Sequence, residues 1–202
     1  MKIICIGRNY RDHIAEFDGG PLPEEPLFFL KPDTALLRNN DPFYIPDFTQ
    51  EVHYECELVN RLARYVAPRF AHRLYAEVGL GIDFTARDLQ REAIAKGWPW
   101  ERAKGFDYSA AVAPQFIPVA ELGDIRRLHF TLEVNGQVRQ QGYTGDMIFG
   151  VDELLSHVSR YITYRTGDLL FTGTPAGVGP VERGDVLRAT LEGRELLNFE
   201  IR

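Results

Sequence analysis

Short apolar or alternating runs, each bounded by glycine, proline or aspartate, recur along the chain. They predict strands over residues 2–6, 27–30, 52–59, 74–84, 128–134, 168–172, 186–191 and 196–201. Two tight hairpin turns stand between such runs, at Asn135-Gly136 and Glu192-Gly193, where the residues tolerate the positive φ that the turn demands. Helical spacing is rarer. It predicts one helix over 85–96, with Thr85 and Asp88 forming a start that resembles a capping box and Gly97 supplying a stop, and another over 151–161. From Gly19 to Pro26, and from Gly97 through Tyr108, glycine, proline and tryptophan break every periodicity, so these stretches read as ordered loops or lids rather than linkers. With no internal repeat or low-complexity segment, a β-rich chain of one domain, residues 1–202, is expected.

Composition fits that picture: of 202 residues 45% are hydrophobic, enough to bury a sizeable core. Net charge is −6, and no run of Lys or Arg is long enough to track phosphates, which argues against a nucleic-acid partner. The apolar run at the start meets Arg8 too early for a signal peptide, and no later stretch approaches the roughly 18 apolar residues of a membrane span. A cytoplasmic protein with no membrane partner is therefore expected, with Cys5 and Cys56, both in strand-like runs, as buried free thiols.

Candidate chemistry begins at Glu51-Val-His-Tyr-Glu-Cys-Glu-Leu-Val59. Strand alternation puts His53, Glu55 and Glu57 on one face, so two carboxylates point the same way. Like charges that close repel unless one is protonated or a cation neutralises them, and a hard divalent ion with oxygen ligands is the common solution. A Glu-x-Glu pair alone more often marks a solvated strand face. The third acid is Asp83, which ends the apolar run Val78-Gly-Leu-Gly-Ile-Asp, where an unpartnered buried charge would be expensive.

Five stretches taken together resemble the fumarylacetoacetate hydrolase family, and within it the small branch of acylpyruvate hydrolases, oxaloacetate decarboxylases and hydroxyheptadienedioate isomerases. They are Gly7-Arg-Asn-Tyr-Arg-Asp-His-Ile-Ala-Glu16, Leu27-Phe-Phe-Leu-Lys-Pro32, His53-Tyr-Glu-Cys-Glu57, Asp83-Phe-Thr-Ala-Arg-Asp-Leu-Gln90 with Arg102-Ala-Lys-Gly-Phe-Asp107, and Phe171-Thr-Gly-Thr-Pro-Ala-Gly-Val-Gly179. The resemblance implies an α+β, mostly β fold, a mixed sheet rolled around a central metal site with few flanking helices, assembled as a homodimer. It implies Glu55, Glu57 and Asp83 as ligands of Mg²⁺ or Mn²⁺, with open positions for a 2-oxo acid. His13 and Glu16, three apart on a helical turn, correspond to the family's water-activating pair, and Lys104 to its active-site lysine. Gln90, Arg8 and Thr174 match positions near the substrate, at the site's mouth and at its floor.

The expected reaction is cleavage of the C–C bond of a 3-acylpyruvate-like acid through a pyruvate enolate. Decarboxylation of oxaloacetate, or keto–enol isomerisation of a hydroxyheptadienedioate, uses the same site and stays open. So do a non-catalytic domain that holds a dicarboxylate and, further off, a structural Ca²⁺ site with a full oxygen shell. Gly19-Gly20 predicts a lid over residues 10–24, weakly ordered in the empty enzyme. The chain departs from its relatives at Tyr54, at Leu58-Val59-Asn60 and in a shortened, Arg-rich segment over residues 61–73, changes that bear on packing behind the ion.

Overall fold

The computed structural model describes residues 1–17, 20–63 and 75–202. Its largest sheet orders its strands β2 (Leu27–Lys31), β1 (Ile3–Gly7), β12 (Leu169–Phe171), β5 (Cys56–Leu62), β6 (Tyr75–Asp83), β8 (Ala110–Val112) and β3 (Leu36–Leu37), with β9 (Ile117–Pro118) also on β6. Strands β1 and β12, and β3 and β8, run parallel while the other pairs are antiparallel, giving a mixed sheet curled into a half-barrel. A second sheet is the antiparallel set β11 (Gln137–Tyr143), β10 (His129–Val134), β14 (Val186–Leu191) and β15 (Arg194–Glu200). A third joins β13 (Gly179–Pro180), β4 (Val52–Tyr54) and β7 (Thr85–Ala86). The helices are short: α1 (Arg11–Phe17), α2 (Arg87–Lys96), α3 (Glu101–Lys104), α4 (Val119–Leu122) and α5 (Val151–Val158). None is long and apolar enough to cross a membrane.

The large sheet is covered on both faces at its centre, which is why β5 and β6 read as nearly continuous apolar runs. On one face Leu58, Leu80, Ile82, Ile4 and Leu170 join a core completed by Leu154, Leu155 and Val158 of α5 and by Phe130, Leu132, Leu191 and Phe199 of the second sheet. Each such side chain stabilises the fold by about 1.5–3 kcal/mol through removal from water. Val59, Phe171, Cys5 and Ile3 form a smaller cluster on the other face. Glu57 alternates onto that second face, opposite Gly81. A Cβ on Gly81 would stand 2.5 Å from the Phe171 ring and 2.8 Å from Val59, so only glycine lets the strands carry Glu57 there.

Both hairpins turn where expected, on Asn135 (φ 53°) with Gly136 (φ 75°) and on Glu192 (φ 48°) with Gly193 (φ 75°). Four expectations need correction. The strand foreseen over 52–59 breaks at Glu55, because β4 pairs with β7 and β13 while β5 enters the large sheet between β12 and β6. The helix foreseen from Thr85 begins at Arg87 with Ala86 as its uncapped N-cap, and Thr85 lies on β7. Asp88 makes no capping box, since its carboxylate instead accepts from the Gln50 amide at 2.9 Å and from the Thr49 hydroxyl at 2.5 Å. The loop foreseen over 97–108 contains α3, and α5 stops at Val158 rather than near 161. Most of the Arg-rich stretch, the first residue of the strand foreseen over 74–84, and positions 18 and 19 of the foreseen lid lie outside the described residues.

Candidate functional site

Sheet register brings the three acids together. The Asp83 amide donates to the Glu55 carbonyl at 2.8 Å, and Glu57 faces Gly81, two residues before Asp83, so Glu55 and Asp83 are opposed and Glu57 is diagonal to Asp83. One oxygen from each carboxylate lies within 4.8 Å of the others, and all three residues are buried. Phe84 anchors the end of β6, stacking on Phe43 at 3.8 Å between centroids and meeting Phe199 edge-on at 6.2 Å, contacts worth about 0.5–1.5 kcal/mol each beyond their area.

Three cations offset these charges. Lys104 Nζ is 2.7 Å from Glu55 Oε2 and 2.8 Å from Asp83 Oδ2, and it donates to the Thr85 hydroxyl at 2.6 Å. Arg87 Nη2 donates to Glu55 Oε1 at 2.6 Å. Lys31 Nζ is 2.7 Å from Asp83 Oδ1 and is caged by Ser109 Oγ and by the carbonyls of Phe84, Lys104 and Ser109. Burial opposes ionisation of Glu55, but Lys104 and Arg87 overcome it and hold its carboxyl below the ordinary range. Among the described residues no cation pairs directly with Glu57: burial, then Asp83 and Glu55, push it well up, and the Gly173 amide at 2.7 Å and the more distant Lys104 compensate only in part.

His53 does not join the acids. Its Nδ1 lies 3.3 Å from Arg87 Nε, which can only donate, so Nδ1 accepts and the Nε2–H donates to Glu51 at 2.7 Å. Burial and Arg87 lower its pKa, so it serves as a neutral link from Glu51 to Arg87 and Glu55. The end-to-end effect is to orient the Arg87 fork on Glu55.

Eight of the nine residues singled out from the sequence line one cavity of about 290 Å³: Arg8, His13, Glu55, Glu57, Asp83, Gln90, Lys104 and Thr174. Glu16 is not part of the lining but lies 3.6 Å from His13 Nδ1, with its carboxylate accepting the Gly177 amide at 3.1 Å. Gly177 has φ 95°, and a Cβ there would stand 2.1 Å from the Arg139 carbonyl, so glycine is required where the loop hands this N–H to α1. Burial lowers the His13 pKa, with Lys104 and Arg87 adding to the effect against Glu55 and Glu16. Gln90 accepts from Arg87 Nη1.

Sequence reasoning missed Lys31, Arg87 and Gln140. The first two sat unremarked inside quoted stretches. Gln140, buried on β11, accepts the Cys56 amide at 2.9 Å and donates to Thr174 Oγ1 at 2.8 Å and to the Pro175 carbonyl at 2.9 Å, while Thr174 Oγ1 donates to the Cys56 carbonyl at 2.9 Å. This ring clamps the residue between Glu55 and Glu57, at the strand break. Gln140→Leu orphans the buried Cys56 amide, at a cost of about 1–3 kcal/mol. It is expected to lower Tm by several degrees and to loosen Mn²⁺ binding about tenfold, as read by calorimetry and titration; unchanged Mn²⁺ affinity would show that the clamp supports folding alone.

A family model described as fumarylacetoacetate (FAA) hydrolase C-terminal matches residues 2–201. The chain belongs to this family. Among curated relatives, oxaloacetate tautomerase YcgM of Escherichia coli K12 is 41% identical over 199 residues, covering 96% of this chain and 90% of that protein. The crystal structure of fumarylpyruvate hydrolase from Pseudomonas aeruginosa, in complex with Mn²⁺ and pyruvate, superposes with TM-score 0.92 at 35% identity, covering 100% of this chain and 89% of that one. That of 2-hydroxyhepta-2,4-diene-1,7-dioate isomerase from Mycobacterium marinum gives TM-score 0.83 at 35% identity, covering 99% and 73%. Fumarylacetoacetate hydrolase family members of this kind are enzymes, hydrolases and isomerases among them, and the fold expected from the resemblance is the one found.

Proposed function

We propose that the protein cleaves a 3-acylpyruvate into pyruvate and a carboxylic acid, using Mg²⁺ or Mn²⁺ held by Glu55, Glu57 and Asp83. The observation that carries this reading is the convergence of three buried carboxylates in one small cavity that His13 also lines. An all-oxygen set of three carboxyl groups suits a hard divalent cation. When bound, such an ion would polarise the 2-oxo and carboxylate oxygens of the substrate.

The chain's own groups supply the rest. Neutral His13 takes a proton from water, and the water oxygen attacks the acyl carbonyl at C4. Glu16, pinned by Gly177, orients the imidazole and steadies its charge. The C3–C4 bond breaks, its electron pair passes to C3 as the enolate of pyruvate, and Lys104, Arg87 and Lys31 balance the negative charge. The His13 imidazolium then returns its proton to C3, which completes one molecule of pyruvate and one of the acid. Gln90 and Thr174 border the substrate, and Arg8 stands at the mouth. The proposal includes a homodimer, on the strength of the family resemblance, and a cytoplasmic location, consistent with two buried free thiols.

Oxaloacetate tautomerisation is the second reading, favoured by the name of the E. coli relative. It needs proton transfer at C3 but no water attack. Proton NMR of the products separates the two: acetate with pyruvate from acetylpyruvate supports hydrolysis, while accelerated keto–enol exchange of oxaloacetate with acetylpyruvate untouched supports tautomerisation.

Lys104 provides a further test, because its ammonium lies between two of the acids that an ion must share. Lys104→Gln is expected to bind Mn²⁺ several-fold more tightly in the absence of substrate and to lose turnover by about 100-fold or more. Weaker Mn²⁺ binding in that variant would show that the lysine is not a competitor for the acids.

A further inference from the structure

The cavity has two chemically distinct ends. Its inner end carries the acids and the cations Arg87 and Lys104, both already held by carboxylates. The other end is an apolar wall that starts at once: the Phe29 ring centroid is 5.3 Å from Lys104 Nζ, and Trp100 lies 6.0 Å beyond Phe29, edge-on. Ile14, Leu27 and Ile94 complete the wall. Leu27 and Ile94 remain 45% and 60% exposed, which leaves apolar surface at the mouth for a ligand to cover. Arg8, also among the lining residues, donates through Nη2 to the Pro21 carbonyl at 3.3 Å.

We propose that the acyl group of the substrate is apolar, an alkyl or aryl chain lying along Phe29, Trp100, Leu27 and Ile94, rather than one ending in a second carboxylate. This inference rests on the acylpyruvate reading and names the substrate class of that same site. A 2-oxo acid head placed at the acids directs its C4 substituent along the apolar wall. A terminal carboxylate lying against the Phe29 ring, Leu27 and Ile94 would lose water to side chains that carry no donor, whereas each methylene contributes through burial.

The test is kcat/KM for butanoylpyruvate against succinylpyruvate, which differ in a terminal methyl against a carboxylate, with benzoylpyruvate as an aryl probe and pyruvate release as the readout. Butanoylpyruvate and benzoylpyruvate are expected to exceed succinylpyruvate by about tenfold or more. Ile94→Lys, a change on the exposed side of α2, is expected to reduce that ratio at least about tenfold by offering the carboxylate a partner. A parent that prefers succinylpyruvate would overturn the inference and assign Arg8 to a distal carboxylate. A ratio unmoved by Ile94→Lys would overturn the placement of the acyl group. No pyruvate from any of the three would instead overturn the acylpyruvate reading beneath it.

Discussion

Glu57→Gln is expected to abolish turnover and to weaken Mn²⁺ binding by about 100-fold or more, while the chelator-treated variant melts no lower than the parent. Glutamine keeps the shape and can still accept the Gly173 amide that Glu57 accepts at 2.7 Å. What it removes is an ionisable group whose charged form is disfavoured by burial and then by Asp83 and Glu55. In the chelated parent the folded state holds the Glu57 proton more tightly than the unfolded chain does. That contribution to stability is complete below about pH 4.3 and is lost as pH rises through the raised folded value. The variant does not suffer this loss, so its Tm is expected to draw ahead of the chelated parent's as pH rises. Added Mn²⁺ reverses the order, because it stabilises only the chain that binds it. Full activity in Glu57→Gln would remove it from the ligand set.

His13→Ala is the second large effect. Hydrolysis is expected to fall by about 10²- to 10⁴-fold with Mn²⁺ affinity almost unchanged, since His13 lines the cavity but is not among the three clustered acids. Burial, aided by Lys104 and Arg87, lowers its pKa, so the basic form dominates at neutral pH. The acid limb of the kcat/KM profile is therefore expected below the ordinary histidine value of about 6.5, and to vanish in the variant. A profile that keeps its acid limb without His13 would transfer the base role to another group.

The strand periodicity made the acids legible, because period 2 places Glu55 and Glu57 together and an Asp closing a run as apolar as Val78–Ile82 needs a partner. It could not reveal the break at Glu55. That break is set by pairing to β7 and β13 on one side and to β12 and β6 on the other, partners drawn from across the chain. Lys31 and Arg87 look like ordinary surface cations in sequence, and only the fold buries them against Asp83 and Glu55. Gln140 reaches Cys56 from 84 positions away, so no local pattern announces it. Thr85 offered a plausible cap, but the short strand β7 took it and turned its hydroxyl to Lys104. The His13–Glu16 pair followed from helical spacing, whereas its anchor at Gly177 depends on a loop 161 residues distant.

Pyruvate release from acetylpyruvate by chelator-stripped protein, measured before and after Mn²⁺ is restored, tests the central claim most directly. The account predicts no release from the stripped protein and full recovery on adding Mn²⁺, with no release from Glu57→Gln in either state. Release that persists in the stripped protein would contradict it.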